Sequence, residues 1–407
     1  MASVGAVAVL VCGLVFIAAG AVRQSDCPRP CHCWKGTTQV YCNRLDLSSV
    51  PADLPTDVEV LDLRYNAITT VSRHDFAGLH SLRSVDLSLN QLMITGIHPG
   101  TFDDTPSLRT LDLSQNKNFN VFPPNLPSQV THLFFVSNKV VHITADSLVN
   151  LTDLVFIDFS SNQVSIIDSD AFANQQKLEE LHAESNNLTY IQPGALKPAS
   201  ALKTASFKYN NLTHVPLDLP VSLNNLAFTG NQIRHLPYKV FSNLTDLQTL
   251  VLFQQPSLVT ISDGAFLGLG KLQVLDLTST GIDRITRSTF AGLGGVWKLY
   301  LSRTRVSSLP VGAFQEMKNL TTLYLDGNLL TTLEPAVLDT RILPRLSNVV
   351  LSGNPWTCDC HLRWLKEHID NNNTAPAIET PDIMTCEGPP RLKDRFWRTL
   401  TPDDFVC

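Results

Sequence analysis

Leucine, or a residue of similar bulk, recurs along this chain in one arrangement, Leu-x-x-Leu-x-Leu-x-x-Asn-x-Leu, at intervals of 21 to 26 residues. The first copy reads Val58, Leu61, Leu63, Asn66, Ile68; the fifth reads Leu154, Ile157, Phe159, Asn162, Val164; the twelfth reads Leu320, Leu323, Leu325, Asn328, Leu330. Thirteen copies begin at Val58, Leu82, Leu108, Val130, Leu154, Leu178, Leu202, Leu223, Leu247, Leu272, Val296, Leu320 and Leu346. Within each copy the alternation across places four to six predicts a short strand with one buried face. A unit this small cannot bury its own leucines, and only stacking on its neighbours removes them from water. The ninth-place Asn turns inward, where its amide can serve the unpaired backbone of its own and the adjacent turn. Places three, five and seven point to the other side of the strand and are open for variation.

A second stripe supports this register. Phe76, Phe102, Phe172, Phe241, Phe266, Phe290 and Phe314 recur on the return half of the turn, with Leu148, Leu196 and Leu338 standing in elsewhere. Three returns are Pro-rich instead, at residues 51–55, 123–127 and 216–220. Proline removes a donor and restricts φ, so these returns are expected to be extended rather than helical. The Asn series gives way to Gln255, Thr280 and Thr304 in turns nine to eleven.

The period and apolar pattern resemble the leucine-rich repeat. That resemblance implies an α/β fold: a solenoid of about 13 repeats, curved as a horseshoe with a parallel concave sheet, and disulfide-capped at both ends. The expected divisions are a signal peptide over 1–21, an N-terminal cysteine-rich cap over 27–57, repeats over 58–355 and a C-terminal cysteine-rich cap over 356–407.

Charge and cysteines place the chain in an oxidising compartment. Lys and Arg number 31 against 37 Asp and Glu, a net −6 with no basic patch, which argues against nucleic acid as a partner. The opening run is apolar and ends at Ala19-Gly20-Ala21, a small-residue site of the signal-peptidase kind. The one charge near that run, Arg23, follows it, so a retained span would hold the body in the cytosol. Cleavage is therefore the expectation, leaving no stable membrane span. Of nine cysteines, Cys12 lies in that leader, and the other eight split into Cys27, Cys31, Cys33, Cys42 and Cys358, Cys360, Cys386, Cys407. None lies inside the repeats. An even count in a secreted chain reads as disulfides rather than zinc, despite His32 between Cys31 and Cys33, and no metal or cofactor is expected. An open stack exposes an apolar face at each end, which a disulfide-tied cap can cover without a large core of its own.

Spacing alone allows three pairings per cluster. The back cap opens Asn354-Pro355-Trp356-Thr357-Cys358-Asp359-Cys360-His361-Leu362-Arg363-Trp364-Leu365, which is similar to the C-terminal flanking module of extracellular leucine-rich repeat proteins. Resemblance to such flanking modules implies Cys27–Cys33, Cys31–Cys42, Cys358–Cys386 and Cys360–Cys407.

Six sequons, at Asn150, Asn187, Asn211, Asn243, Asn319 and Asn372, fit a secreted glycoprotein. No sequon occupies place three, five or seven, so the concave sheet is left clear for a ligand. Its unusual members are aromatic. His132, Phe134, Val136 and Phe156 fall side by side in turns four and five, with Glu180, His182 and Glu184 next to them. A second group holds Val251, Phe253, Lys298, Tyr300, Arg303, Tyr324 and Asp326. Exposed aromatics at adjacent strand positions mark an interface, and from the two groups His132, Phe134, Val136, Phe156, His182, Phe253, Tyr300 and Tyr324 are the candidate ligand-binding residues. Asp62, Asp86, Asp112, Asp158 and Asp276 share the fifth place, where solubility explains them best.

Catalysis finds no support. The chain lacks G-x-S-x-G, H-E-x-x-H and a Gly-rich phosphate loop, and the carboxylate pairs Glu179-Glu180 and Asp403-Asp404 are sequence neighbours that do not face one site. What remains is a secreted recognition protein that engages an extracellular protein or glycoconjugate through its concave sheet. The chain resembles variable lymphocyte receptors and pattern-recognition receptor ectodomains, which implies innate-immune recognition. It also resembles chondroadherin-like small leucine-rich proteins, which implies binding to extracellular matrix or growth factors. An ectodomain fragment of an adhesion or guidance receptor is the third reading.

Overall fold

The computed structural model describes residues 27–34, 36–371 and 375–407, so the expected leader over 1–21 and the sequon Asn372 lie outside the described residues. One 16-stranded sheet runs the length of the molecule. It begins with the antiparallel pair His32–Cys33 and Gln39–Tyr41, passes through one three-residue strand per turn from Val60–Asp62 to Asn348–Val350, and ends on Ala377–Glu379 of the back cap. From Gln39–Tyr41 onward the pairing is parallel and unshifted, so equal places of successive turns stand side by side, as in Asp62↔Asp86 and Asp86↔Asp112. The middle residue of every turn's strand is buried. Its two neighbours face the concave side.

Returns are built from turns and short 3-10 segments such as Arg73–Phe76 and Pro335–Val337, closed by bonds like Leu79 N to Phe76 O at 3.2 Å and Leu82 N to Leu79 O at 3.1 Å. The single α-helix among the described residues, Arg363–Asp370, belongs to the back cap. The α-helical share of the expected α/β fold is thus confined to that cap and the returns keep only 3-10 segments, because successive three-residue turns carry each return back with little room for an i→i−4 ladder. The Pro-rich returns contain no helix. On the far side, His142–Ile143, Ile166–Ile167 and Tyr190–Ile191 form a second small parallel sheet, and His235–Leu236 pairs with Thr260–Ile261.

Place eight of every turn has positive φ, between 54° and 70°, from Tyr65 and Leu89 through Ser161 and Arg303 to Gly353. For a non-glycine residue this conformation costs about 1–2 kcal/mol. Two features offset it. The place-eight N–H continues the rungs of the sheet, as when Tyr65 donates to Ser88 O at 3.0 Å and Leu89 to Ser114 O at 2.9 Å. The following Asn then gathers the carbonyls that the bend turns inward. Asn90 Nδ2 donates to Leu63 O, Leu87 O and Ser88 O at 2.9, 3.1 and 3.2 Å, while its Oδ1 accepts from Ile68 N at 3.0 Å. Asn116, Asn162, Asn186, Asn210 and Asn231 repeat this pattern across the stack.

The ladder weakens where the sequence departs from Asn. Gln255 Oε1 accepts from Ile233 N at 3.2 Å, but its Nε2 is buried without a partner. Thr280 reaches only its own turn, donating to Leu277 O at 2.8 Å. Asn138 Oδ1 is also unsatisfied, because the extra residue between Asn116 and Phe119 carries the facing N–H away.

Phenylalanines fill the return side. Phe76 and Phe102 stack at 5.4 Å, and Phe241, Phe266, Phe290 and Phe314 continue at 6.2, 6.3 and 5.7 Å. At the Pro-rich return of turn three, Phe119 and Phe122 close the gap by packing on Phe135 at 5.2 and 4.5 Å. Both ends are tied by disulfides, Cys27–Cys33 and Cys31–Cys42 in front, Cys358–Cys386 and Cys360–Cys407 behind. In the back cap Trp356 and Trp397 are buried edge to face at 6.3 Å, with Phe405 against Trp397 at 5.1 Å.

Candidate ligand-binding surface

Parallel register converts place identity into neighbourhood. His132 stands opposite Phe156, and Phe134 lies between Asp112 and Asp158 on the fifth-place line. The rings meet: Phe156 lies 5.9 Å from His132, 5.0 Å from Phe134 and 5.2 Å from His182. Four of the candidate residues are therefore one aromatic cluster across turns four to six. His132 is exposed, whereas Phe134, Val136, Phe156 and His182 are half-buried. The cluster is more sheltered than strand alternation suggests, since each ring covers part of the next.

An ionic group lies beneath one side of it. His182 lies between Glu184, whose Oε1 is 3.3 Å from Nδ1, and Glu180, whose Oε2 is 3.6 Å from Nε2. Ser160 donates to Glu184 at 2.5 Å, and Lys208 approaches the same carboxylate at 4.0 Å. Burial opposes the His182 charge, but Glu184, Asp158 and Glu180 outweigh it and hold the imidazole above its ordinary value. Burial also opposes ionisation of Glu184, yet its bonds from His182 and Ser160 bring the carboxyl down to about 2. His132 lacks such support, and burial lowers it despite Glu180.

Asp112 behaves in the opposite way. Burial pushes its carboxyl up to about 6 against the pull of bonds from Ser114, with Asp86 and Asp158 adding to the rise. A folded value above the unfolded one contributes stability that is complete below about pH 4 and lost as pH rises through about 6. At neutral pH the charge therefore costs the fold about 3 kcal/mol. Asp112→Asn, which keeps the acceptor for Ser114 N–H, is expected to gain that amount at pH 7.5 and almost none at pH 4. Guanidinium unfolding at the two pH values measures it, and an equal gain at both would remove burial as the cause.

The second candidate group divides in the structure. Tyr300 and Tyr324 stack at 4.5 Å with planes 9° apart, whereas Phe253, two turns earlier on the seventh place, joins neither ring cluster. Lys298 lies over both tyrosines and also over Trp297, 5.3 Å from that ring. Trp297 was not among the candidates, because second-place residues alternate away from the concave side. Its bulk and 40 % exposure let it reach the sheet edge.

Among the described sequons Asn150, Asn187, Asn211 and Asn243 are exposed, while Asn319 is half-buried with its amide donating to Gly294 O at 2.9 Å. No helix of the described residues is long and apolar enough to cross a membrane.

Family models agree with this geometry. That of the leucine rich repeat matches residues 42–92, 221–282, 254–306 and 296–355, that of the BspA type leucine rich repeat region matches 128–219, and that of the leucine rich repeat N-terminal domain matches 26–55. The chain belongs to the leucine-rich repeat family. Similar relatives of this leucine-rich repeat protein are small leucine-rich proteoglycans. Podocan of Mus musculus is 27% identical over 242 residues, covering 59% of this chain and 36% of its own. Keratocan of Bos taurus is 31% identical over 138 residues, 34% of this chain and 39% of its own. Osteomodulin of Rattus norvegicus is 30% identical over 31% of each. The matches thus span well under half the length of these relatives.

Among solved structures, TLR13 in complex with ssRNA13 superposes with a TM-score of 0.64 at 23% identity, covering 81% of this chain and 51% of that one. A chain of the octameric Latrophilin 3, Unc5D and FLRT2 complex does so at 0.60 and 24%, covering 92% and 98%. At these identities the likeness concerns the fold.

Proposed function

We propose that this leucine-rich repeat protein is a secreted binding protein of the extracellular matrix, holding a matrix protein against the concave aromatic cluster of turns four to six. The observation that carries the reading is the cluster itself: His132, Phe134, Phe156 and His182 gathered on a sheet face without sequons. Aromatic side chains preassembled on a rigid surface give contact area with little entropy left to lose on binding. Relatives among the matrix proteoglycans support the setting, and four disulfides support an oxidising route. Innate recognition of microbial surfaces, another of the three readings of the sequence, is separated from it by the same experiment.

The purified secreted glycoprotein is tested for capture by collagen and matrix extract, beside bacterial and fungal cell-wall preparations. The double variant Phe134→Ala with Phe156→Ala is expected to weaken matrix capture about ten- to fifty-fold. Both rings are half-buried, so the variant remains folded with a loss of about 1–2 kcal/mol. A folded double variant that binds as well as the parent removes the cluster from the interface. Capture by microbial walls alone replaces the matrix reading.

A further inference from the structure

Turns eleven and twelve hold a group of different chemistry, about six strands away from the aromatic cluster. Lys298, Tyr300, Tyr324 and Trp297 arrange three rings around one ammonium. Nζ lies 5.3 Å from the Trp297 ring, 5.5 Å from Tyr300 and 5.8 Å from Tyr324. Two other cations of the concave face have carboxylate partners: Arg64 pairs with Asp62 at 3.2 Å, and Lys208 approaches Glu184. Lys298 makes no ion pair among the described residues, and Tyr300 and Tyr324 hold its charge. Of the nearby acids, Asp326 accepts from the Ser302 hydroxyl at 2.5 Å and Asp276 from Thr278 N–H at 2.8 Å, while Glu379 lies on the far side of Tyr324 and acts on that phenol.

This arrangement restricts what can bind. Ring faces attract cations, but here that seat is already taken by a side chain of the same surface, which argues against an ammonium or guanidinium ligand. The unpaired charge calls for an anion, and its aromatic surroundings strengthen the attraction by partly desolvating it. Tyr300 and Tyr324, stacked with their planes 9° apart, add apolar ring surface beside the polar strand neighbours Thr322 and Asn348. A pyranose has matching parts: an axial C–H face for the negative ring surface, hydroxyls for Asn348 and Asp276, and, in an acidic sugar, a carboxylate or sulfate for Lys298.

We infer that Lys298, Tyr300, Tyr324 and Trp297 form a second binding site, specific for a saccharide unit that bears an acidic group. The site is distinct from the one proposed on turns four to six and can stand or fall independently. Its substrate class is the uronate- or sulfate-bearing oligosaccharide. A protein ligand on the first cluster and an acidic glycan on the second could be held at the same time, because both lie on one continuous sheet.

Calorimetric titration of the full secreted chain tests this with four probes: a hyaluronan octasaccharide, a chondroitin sulfate octasaccharide, a neutral chitin oligosaccharide and uridine monophosphate. One or both acidic saccharides are expected to bind, the neutral one at least about tenfold more weakly, and binding is expected to weaken with added salt. Lys298→Ala and Tyr324→Ala each lower the affinity at least about tenfold, whereas Tyr324→Phe, which keeps the facet, stays within about threefold. The variant lacking Phe134 and Phe156 keeps full saccharide affinity, which separates this site from the first. Melting curves establish that each variant is folded. The inference is overturned if neither acidic saccharide binds, if the neutral one binds equally, if Lys298→Ala changes nothing, or if the nucleotide binds most tightly.

Discussion

Replacing Asn162 by alanine is expected to cost the stack about 3–5 kcal/mol. Its Nδ2 donates to Phe135 O and Phe159 O at 2.9 Å and to Ser160 O at 3.3 Å, and its Oδ1 accepts from Val140 N at 3.0 Å. All of these groups lie inside the solenoid, out of reach of water that could replace the amide. Alanine also removes one of the two features that offset the bend at Ser161, whose φ is 58°, leaving only its N–H to Glu184 O. Asn138 supplies the internal comparison. Its Nδ2 donates to Leu113 O and Phe135 O, but its Oδ1 is already without a partner, so Asn138→Ala should cost distinctly less. Chemical unfolding of both variants, with hydrogen exchange at the Val140 amide, measures the difference. Equal losses, or a Val140 amide as protected in Asn162→Ala as in the parent, would exclude the ladder as the source of stability.

Removing the Cys358–Cys386 disulfide, by alanine at both positions, should destabilise the back cap by about 3–4 kcal/mol, the loop entropy of the 28 residues it closes. Both sulfurs are buried. Their loss loosens the floor on which Trp356 and Trp397 meet, and with it the cover over the last repeat. Ala377–Glu379 pairs with Asn348–Val350, so opening of the cap exposes a sheet edge as well as leucines. Earlier melting of the C-terminal turns, seen as faster exchange near Val349, and self-association at high concentration are the expected signs. Unchanged melting and solubility would mean that apolar packing alone holds the cap.

The two variants probe features of different legibility. Asn162 stands at a fixed place in a repeated pattern, and its inward role follows from the period alone. The cap cysteines were evident from their placement at the two ends, since a stack needs covering only there. Both inferences rest on a strong physical demand that leaves few alternatives. The concave surface carries no such demand. Places three, five and seven tolerate many residues, so the sequence identified aromatics there without indicating how they would associate. In the structure Phe134 settles between Asp112 and Asp158, and Phe156 between His132 and His182, while Phe253 joins neither group. Trp297 entered the second group from a place that alternation assigns to the flank.

The left-handed residue at place eight had no marker, because Tyr65, Leu89, Gln115 and Arg303 share no chemistry that favours positive φ. Only the requirement to keep a rung to the next turn while bending the chain imposes it. The sequence by itself determined the solenoid, its register, its inward leucines and asparagines, and its capped ends, because burying apolar surface in a repeating unit of about 24 residues admits essentially one stacking. The tertiary structure alone decided which surface side chains meet, which carboxylates are shielded from water and which lysine is left without a counter-charge. Those outcomes depend on distances between turns that are far apart in sequence, and local pattern does not encode them.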